Sequence, residues 1–295
     1  MFNYIVTDAH GDIPADFNQS QIFPQHMQLY KGYVQFFACY TEDKTNPFSD
    51  ILLQIERLKA YCENHPMQIV TNYTDLEKAI AQGQSAIILC IENCAGLSLA
   101  NLHTAYAQGV RLITLTWNHQ NEIAGGSESD GGLTPYGREF IKTAQELGMM
   151  LDLAHLNKAS FYEVYDALQR PGLVTHAGAH GIYPHPRNID DRQYRLLCDT
   201  DSFCGVPCYP LFLNGTQTAD SADIAQHICH FSNINPYCVG IGSDFNGIAY
   251  TTSDIHHAGH LYKLAQILPN YGNVPWFSQR AMGENCLKYL KMNFN

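Results

Sequence analysis

Short apolar runs rich in Val, Ile and Leu recur along the chain, separated by longer segments whose apolar residues return every three to four positions. Runs of the first kind read as strands buried on both faces, and segments of the second as helices that cover them. The predicted strands are eight: Tyr4 to Thr7, Val34 to Cys39, Ser85 to Ile91, Arg111 to Thr116, Met149 to Leu153, Gly172 to Thr175, Phe203 to Cys208 and Cys238 to Gly242. The predicted helices are Phe48 to Asn64, Leu99 to Gln108, Pro135 to Leu147, Ser160 to Gln169, Asp190 to Asp199 and Ala222 to Ser232, with Asp254 to Leu268 as the eighth crossover and Ser278 to Leu290 closing the chain. Pro135 suits a first helical turn and Gly148 a helix stop. Met67 to Gly83 is ambiguous and accommodates an extra short strand, Gln68 to Thr71, and a helix on the second crossover. The alternation predicts an α/β fold, a closed (β/α)8 TIM barrel of the metal-dependent hydrolase type, with residues 1–295 as one catalytic domain.

Composition supports this and narrows the partners. A length of 295 residues is normal for a barrel, and 45% hydrophobic against 15% charged residues supplies a large core. The net charge of −11, from 28 acidic and 17 basic residues, argues against nucleic acid, whose affinity comes from Lys and Arg on phosphates. No signal peptide or membrane span is readable, so no membrane partner and a cytoplasmic location are expected. The ten cysteines lie in apolar runs without CxxC pairs, which reads as buried free thiols in a reducing compartment.

Barrel enzymes gather their chemistry at the C-terminal ends of strands. Here those ends carry His10 and Asp12, Glu92, His155, His176 and Asp244. One histidine after a strand is usually a solvated loop residue or a satisfied core group. Five strand ends converging on one mouth are different, because three carboxylates there need cations to neutralise them. His10 and Asp12, two apart in extended backbone, project to one side and can share an ion. Glu92 falls between that pair and the His155/His176 pair in strand order and can bridge two divalent ions. Imidazole with carboxylate suits Zn²⁺, with Mn²⁺, Co²⁺ or Fe²⁺ as substitutes. His103, His227 and His230 sit in helical patterns and read as structural or surface groups, while His180, His185, His256 and His257 lie in loops and are not expected to be ligands.

The segments Asp8-Ala9-His10-Gly11-Asp12, Gly132-Leu133-Thr134-Pro135-Tyr136-Gly137, Leu151-Asp152-Leu153-Ala154-His155, His185-Pro186-Arg187-Asn188, Gly240 to Gly247 and Gly283-Glu284-Asn285 occur in an order and spacing that resembles the renal, or membrane, dipeptidase family of metallopeptidases. The resemblance runs from Asp8 to about Leu290. It implies that His10 and Asp12 bind one zinc, that His155 and His176 bind the other, and that Glu92 bridges them. It implies that Asp244 is the acid/base beside a bridging hydroxide, that Arg187 pairs with the substrate carboxylate, and that the substrate is a dipeptide, with a D-residue tolerated at its C-terminal side. It also leans toward a homodimer.

This chain departs from the pattern in three places. Asn93-Cys94-Ala95 follows the glutamate where small residues are usual, and the first loop, Gly11 to Tyr30, is short. Trp117 stands where well-known members have a substrate-associated histidine. Trp117 and the adjacent Asn118 are therefore expected to face the substrate, and the change leaves open another amide, a lactone or an ester as the substrate. A non-catalytic metal-binding barrel is the remaining alternative.

Overall fold

In the computed structural model, which describes residues 1–41, 45–271 and 276–295, parallel strands close into a ring. The strands are β1 (Phe2–Asp12), β2 (Tyr30–Tyr40), β3 (Met67–Ile69), β4 (Ser85–Glu92), β5 (Val110–Thr114), β6 (Met150–Asp152), β7 (Cys204–Val206) and β8 (Val239–Ile241). Pairing runs β6-β5-β4-β2-β1-β8-β7. Leu173 bridges to Asp152 and Val174 to Cys204, so this short segment joins β6 to β7. The sixth barrel strand, expected over Gly172 to Thr175, is thus reduced to two bridging residues. Its ladder with β6 stops because the Thr175 amide donates to the Asp152 side chain, at 2.9 Å, instead of to a β6 carbonyl. β3 is the extra strand of the ambiguous stretch; it pairs with the start of β4 and leads into the helix Tyr73–Ala81.

Alternate residues of each strand divide the core. Val34, Phe36 and Ala38 of β2 and Ala86, Ile88 and Cys90 of β4 fill the barrel interior with Leu112, Met150 and Leu173. Cys286, Tyr289 and Leu290 of the last helix, Asn285–Asn293, and Phe294 just after it join the same cluster, and the Asn285 amide donates to the carbonyls of Pro236 and Val239, so this helix plugs the N-terminal end of the barrel. Tyr33, Phe37 and Cys39 of β2, with Ile87, Leu89 and Ile91 of β4, face outward onto Ile51, Ile55 and Leu58 of the helix Pro47–Glu63. The open end is therefore the C-terminal one, where functional groups collect in such barrels.

The helix Pro135–Leu147 spans the predicted range, capped by the Thr134 hydroxyl and stopped by Gly148 in left-handed backbone. The helix expected over Asp254 to Leu268 shrinks to a 3₁₀ turn, Ala258–His260, and a short helix, Tyr262–Ile267. The Ala258 amide donates across the molecule to the Gln21 carbonyl, which removes it from a local helix. Beside that bond three imidazoles stack: His26 on His257 at 3.9 Å, and His257 on His260 at 3.8 Å between centroids. Among the described residues no helix is long and apolar enough to cross a membrane, and all ten cysteines are free, nine of them buried.

Candidate metal centre

The ends of β1 and β8 are tied together by a buried carboxylate. Asp8 accepts from the Ser243 amide at 2.7 Å and from the Ser243 hydroxyl at 2.5 Å. The Asp244 amide donates to the His10 carbonyl at 3.0 Å, and the Asp12 amide to the Phe245 carbonyl at 2.9 Å. An irregularity in the β1–β2 register between Asp8 and Gly11 accompanies the turn of His10 toward the barrel axis. Outside this layer, Asn246 and Gln21 exchange hydrogen bonds at 2.7 and 2.6 Å, and the Asn246 amide also donates to the Asp12 carbonyl. The first loop is thereby fastened to the strand end that carries Asp244.

Asp152 plays the corresponding part for the fifth and sixth strand ends. Its carboxylate accepts from the hydroxyls of Thr114 (2.7 Å) and Thr175 (2.6 Å) and from the amides of Ala154 and Thr175, both at 2.9 Å. His155 and Asp244 each follow this scaffolding in left-handed backbone, φ +66°. Such backbone is uncommon for residues other than glycine and collects at functional sites.

The two oxygens of Glu92 face different partners. Oε2 lies 3.4 Å from His10 Nε2, which is itself 3.6 Å from Asp12 Oδ1 and 3.9 Å from Asp244 Oδ1. Oε1 lies 2.6 Å from His155 Nε2 and 3.9 Å from His176 Nε2, and the two imidazole nitrogens are 2.9 Å apart. Tetrahedral ligands at zinc distances of about 2 Å stand about 3.3 Å from one another. One donor atom each from His10, Glu92 and His176 falls within a common 4.8 Å.

The half of the site formed by Glu92, His155 and His176 lacks positive charge. The Thr175 hydroxyl spends its proton on Asp152, so it accepts from His176 Nδ1 at 2.9 Å. The Asn118 amide oxygen accepts from His155 Nδ1 at 2.9 Å. A neutral imidazole has one N–H. Both Nε2 atoms therefore present lone pairs to each other and to Glu92, an arrangement that a cation stabilises. His10 Nε2 and Asp12 Oδ1 are buried without a hydrogen-bond partner. The surrounding carboxylates, Glu92 above all, hold His10 well above its ordinary pKa against its burial. Burial lowers His155 to about 4, with Arg187 adding to the effect. Burial also raises Asp12 to about 6 and Asp244 to about 8, reinforced by Glu92 beside each.

A cavity of about 480 Å³ opens above these groups, walled by Tyr40, Trp117, Arg187, Phe212 and Asp244. Arg187 is 4% exposed, its Nε has no partner, and its guanidinium lies 5.3 Å over the Phe212 ring. Trp117 stands 5.5 Å from Tyr40 and 6.3 Å from His155 between ring centroids. Asn118 lines the cavity too, but its amide oxygen is engaged by His155. All of the predicted site residues thus meet at one mouth. His185 also lines it, while His227 is a core group bonded to Ala179 and Leu213, and His230 pairs with Asp191. Sequence reasoning gave no role to Asp8, Asp152 or Thr175. The available signal was a carboxylate two or three residues before a site histidine, in Asp8-Ala9-His10 and Asp152-Leu153-Ala154-His155.

The sequence pattern described as membrane dipeptidase (peptidase family M19) matches residues 2–292. An uncharacterised dipeptidase of Schizosaccharomyces pombe is 31% identical over 82% of this chain and 69% of its own length. A dipeptidase of Aspergillus oryzae is 28% identical over 90% of this chain and 73% of its own. Among solved structures, a metallopeptidase of Rhodobacter sphaeroides, bound to a phosphinate mimic of the dipeptide L-Ala-D-Ala, superposes with a TM-score of 0.89 at 19% identity, covering 98% of this chain and 99% of that one. A structure described as a dipeptidase metallopeptidase also gives 0.89, at 20% identity over 99% of both chains. At such identities these two likenesses establish the shared barrel.

Proposed function

We propose, from the premise that the chain belongs to the membrane dipeptidase family, that it hydrolyses the peptide bond of dipeptides at a centre of two divalent cations. The observation that carries this is the division of Glu92, with one oxygen toward His10 and Asp12 and the other toward His155 and His176. On this reading His10 and Asp12 hold one ion, His155 and His176 hold the other, and Glu92 joins the two. Nitrogen and carboxylate donors favour Zn²⁺. Bound there, the ions would lower the pKa of a water and polarise the scissile carbonyl.

The rest falls to the protein's own groups. Asp244, 3.9 Å from His10 Nε2 and facing the cavity, takes the proton of the attacking water and returns it to the leaving amine as the C–N bond breaks. Arg187, buried with an unused Nε–H, offers a planar fork to the terminal carboxylate of the substrate. Trp117 and Tyr40 form an apolar wall that excludes water from the reacting bond.

Elemental analysis of purified protein, paired with amino-acid release from a panel of L,L- and L,D-dipeptides, tests the proposal. Two equivalents of zinc with dipeptide turnover is the expected result. Two equivalents with faster cleavage of N-acyl amino acids or lactones would move the substrate to another amide or ester, and absence of metal would overturn the mechanism.

A further inference from the structure

We infer that Asn118 is a positioning residue for one of the two ions: it fixes the His155 tautomer that leaves Nε2 free for the cation, and Glu128 locks its amide in the orientation this requires. The inference rests on the two-metal reading above.

The amide oxygen of Asn118 lies 2.9 Å from His155 Nδ1 and also accepts from the Ser127 hydroxyl at 3.2 Å. Its nitrogen donates to Glu128 Oε1 at 3.2 Å. A carboxylate only accepts, so Glu128 demands the NH₂ side of the amide. Flipping the amide would set its oxygen against Glu128 and its NH₂ against the His155 N–H. His155 would then favour the tautomer protonated at Nε2, which cannot ligate.

The loop that supplies this lock is built onto the Asn118 backbone. The Glu128 amide donates to the Asn118 carbonyl at 2.7 Å. A Cβ on Gly126 would stand 2.1 Å from the Trp117 carbonyl oxygen and 2.5 Å from the Asn118 carbonyl carbon, so only glycine lets the loop lie this close. The other imidazole of the pair is held differently. His176 rests on Thr175 and Asp152, both fully buried, whereas His155 rests on a chain ending in a Glu128 side chain that is 53% exposed. The two donors of one ion therefore have unequal support, and the weaker one is reachable from the cavity mouth.

Zinc titration of metal-stripped protein against a chromophoric chelator tests this. Wild type should take up two equivalents. Asn118→Leu, similar in volume but without the oxygen, should bind one equivalent unchanged and the other about 10- to 100-fold more weakly. Asn118→Asp keeps an acceptor for His155 Nδ1 and should stay within about threefold of wild type. Glu128→Leu should give a smaller loss of the same equivalent, because the amide is then free to turn; its exposed position keeps this arm usable should Asn118→Leu fail to fold. Unchanged affinity in Asn118→Leu or in Glu128→Leu, or equal weakening in the Leu and Asp variants, would overturn the positioning role and leave the two-metal reading intact. Fewer than two equivalents in wild type would overturn that reading and this inference with it.

Discussion

At Asp244 the backbone is left-handed and the carboxyl is buried beside His10, Glu92 and Asp12. Asparagine enters left-handed backbone as readily as aspartate. Asp244→Asn should therefore fold and keep its metal while turnover falls by about 10² to 10⁴. Metal content, melting temperature and kcat measured together check this, and undiminished kcat would remove Asp244 from the chemistry. Arg187 calls for a different comparison, because its cost on removal depends on the substrate. Losing a charge-assisted bond in a desolvated site costs about 1.5–3 kcal/mol. Arg187→Ala should accordingly lower kcat/KM for free dipeptides about 10- to 100-fold and for their C-terminal amides much less. An equal drop for both would contradict the anchoring role.

The strand ends hold these residues only because neighbouring elements approach very closely. A Cβ on Gly242 would stand 1.8 Å from the Thr175 carbonyl oxygen, and one on Gly205 2.1 Å from the same atom. Gly242→Ala must push the end of β8 away from the residue that orients His176. A loss of more than about 4 kcal/mol is expected, seen as insolubility or a large fall in melting temperature; a variant melting within a few degrees of wild type would show that the strands can yield. The elements themselves were legible wherever local signals were complete. Thr134, Pro135 and Gly148 delimit one helix at both ends, and the nearly unbroken apolar runs of β2 and β4 mark strands buried on both faces. They were illegible wherever a partner distant in sequence takes over a backbone group. Asp152 claims the Thr175 amide and shortens the sixth strand, and Gln21 claims the Ala258 amide and shortens a helix. The candidate site divides in the same way. The residues that converge on the mouth could be read from strand-end positions, whereas Asp8, which meets Ser243 across 235 residues of sequence, and Asn118, whose amide turns to His155, depend on contacts that no periodicity records.

For the molecule as a whole, a centre joining several strand ends should also hold the barrel together. Three carboxyl groups, Asp12, Glu92 and Asp244, crowd around His10, and without cations only protonation of His10 and of the carboxyls themselves offsets their mutual repulsion. A ligand present at a thousand times its Kd stabilises the folded state by about 4 kcal/mol. Stripping the metal with a chelator should then lower the melting temperature by about 10 °C. Scanning calorimetry with and without chelator reads this directly, and superimposable traces would mean that the barrel does not depend on its ions.

The stack of His26, His257 and His260 joins the first loop to the segment after β8, and His256, Lys263 and Asp254 are the other titratable groups around it. Burial, with His26, His260, His256 and Lys263 adding to it, holds His257 down to about 4 from its ordinary 6.5. Between those values the unfolded chain binds a proton that the folded one refuses, so the stability the stack contributes is whole above pH 6.5 and drains away as pH falls toward 4. His257→Phe keeps a ring in the stack without the proton, and its melting temperature should gain on wild type as the buffer is taken from neutral to acid; a constant gap would mean that the rings only pack. None of these imidazoles lines the cavity, yet the loop they clasp is the one that Asn246 fastens to the Asp12 strand end. Acid would thus reach the mouth of the cavity from behind, by unbuttoning its outer seam.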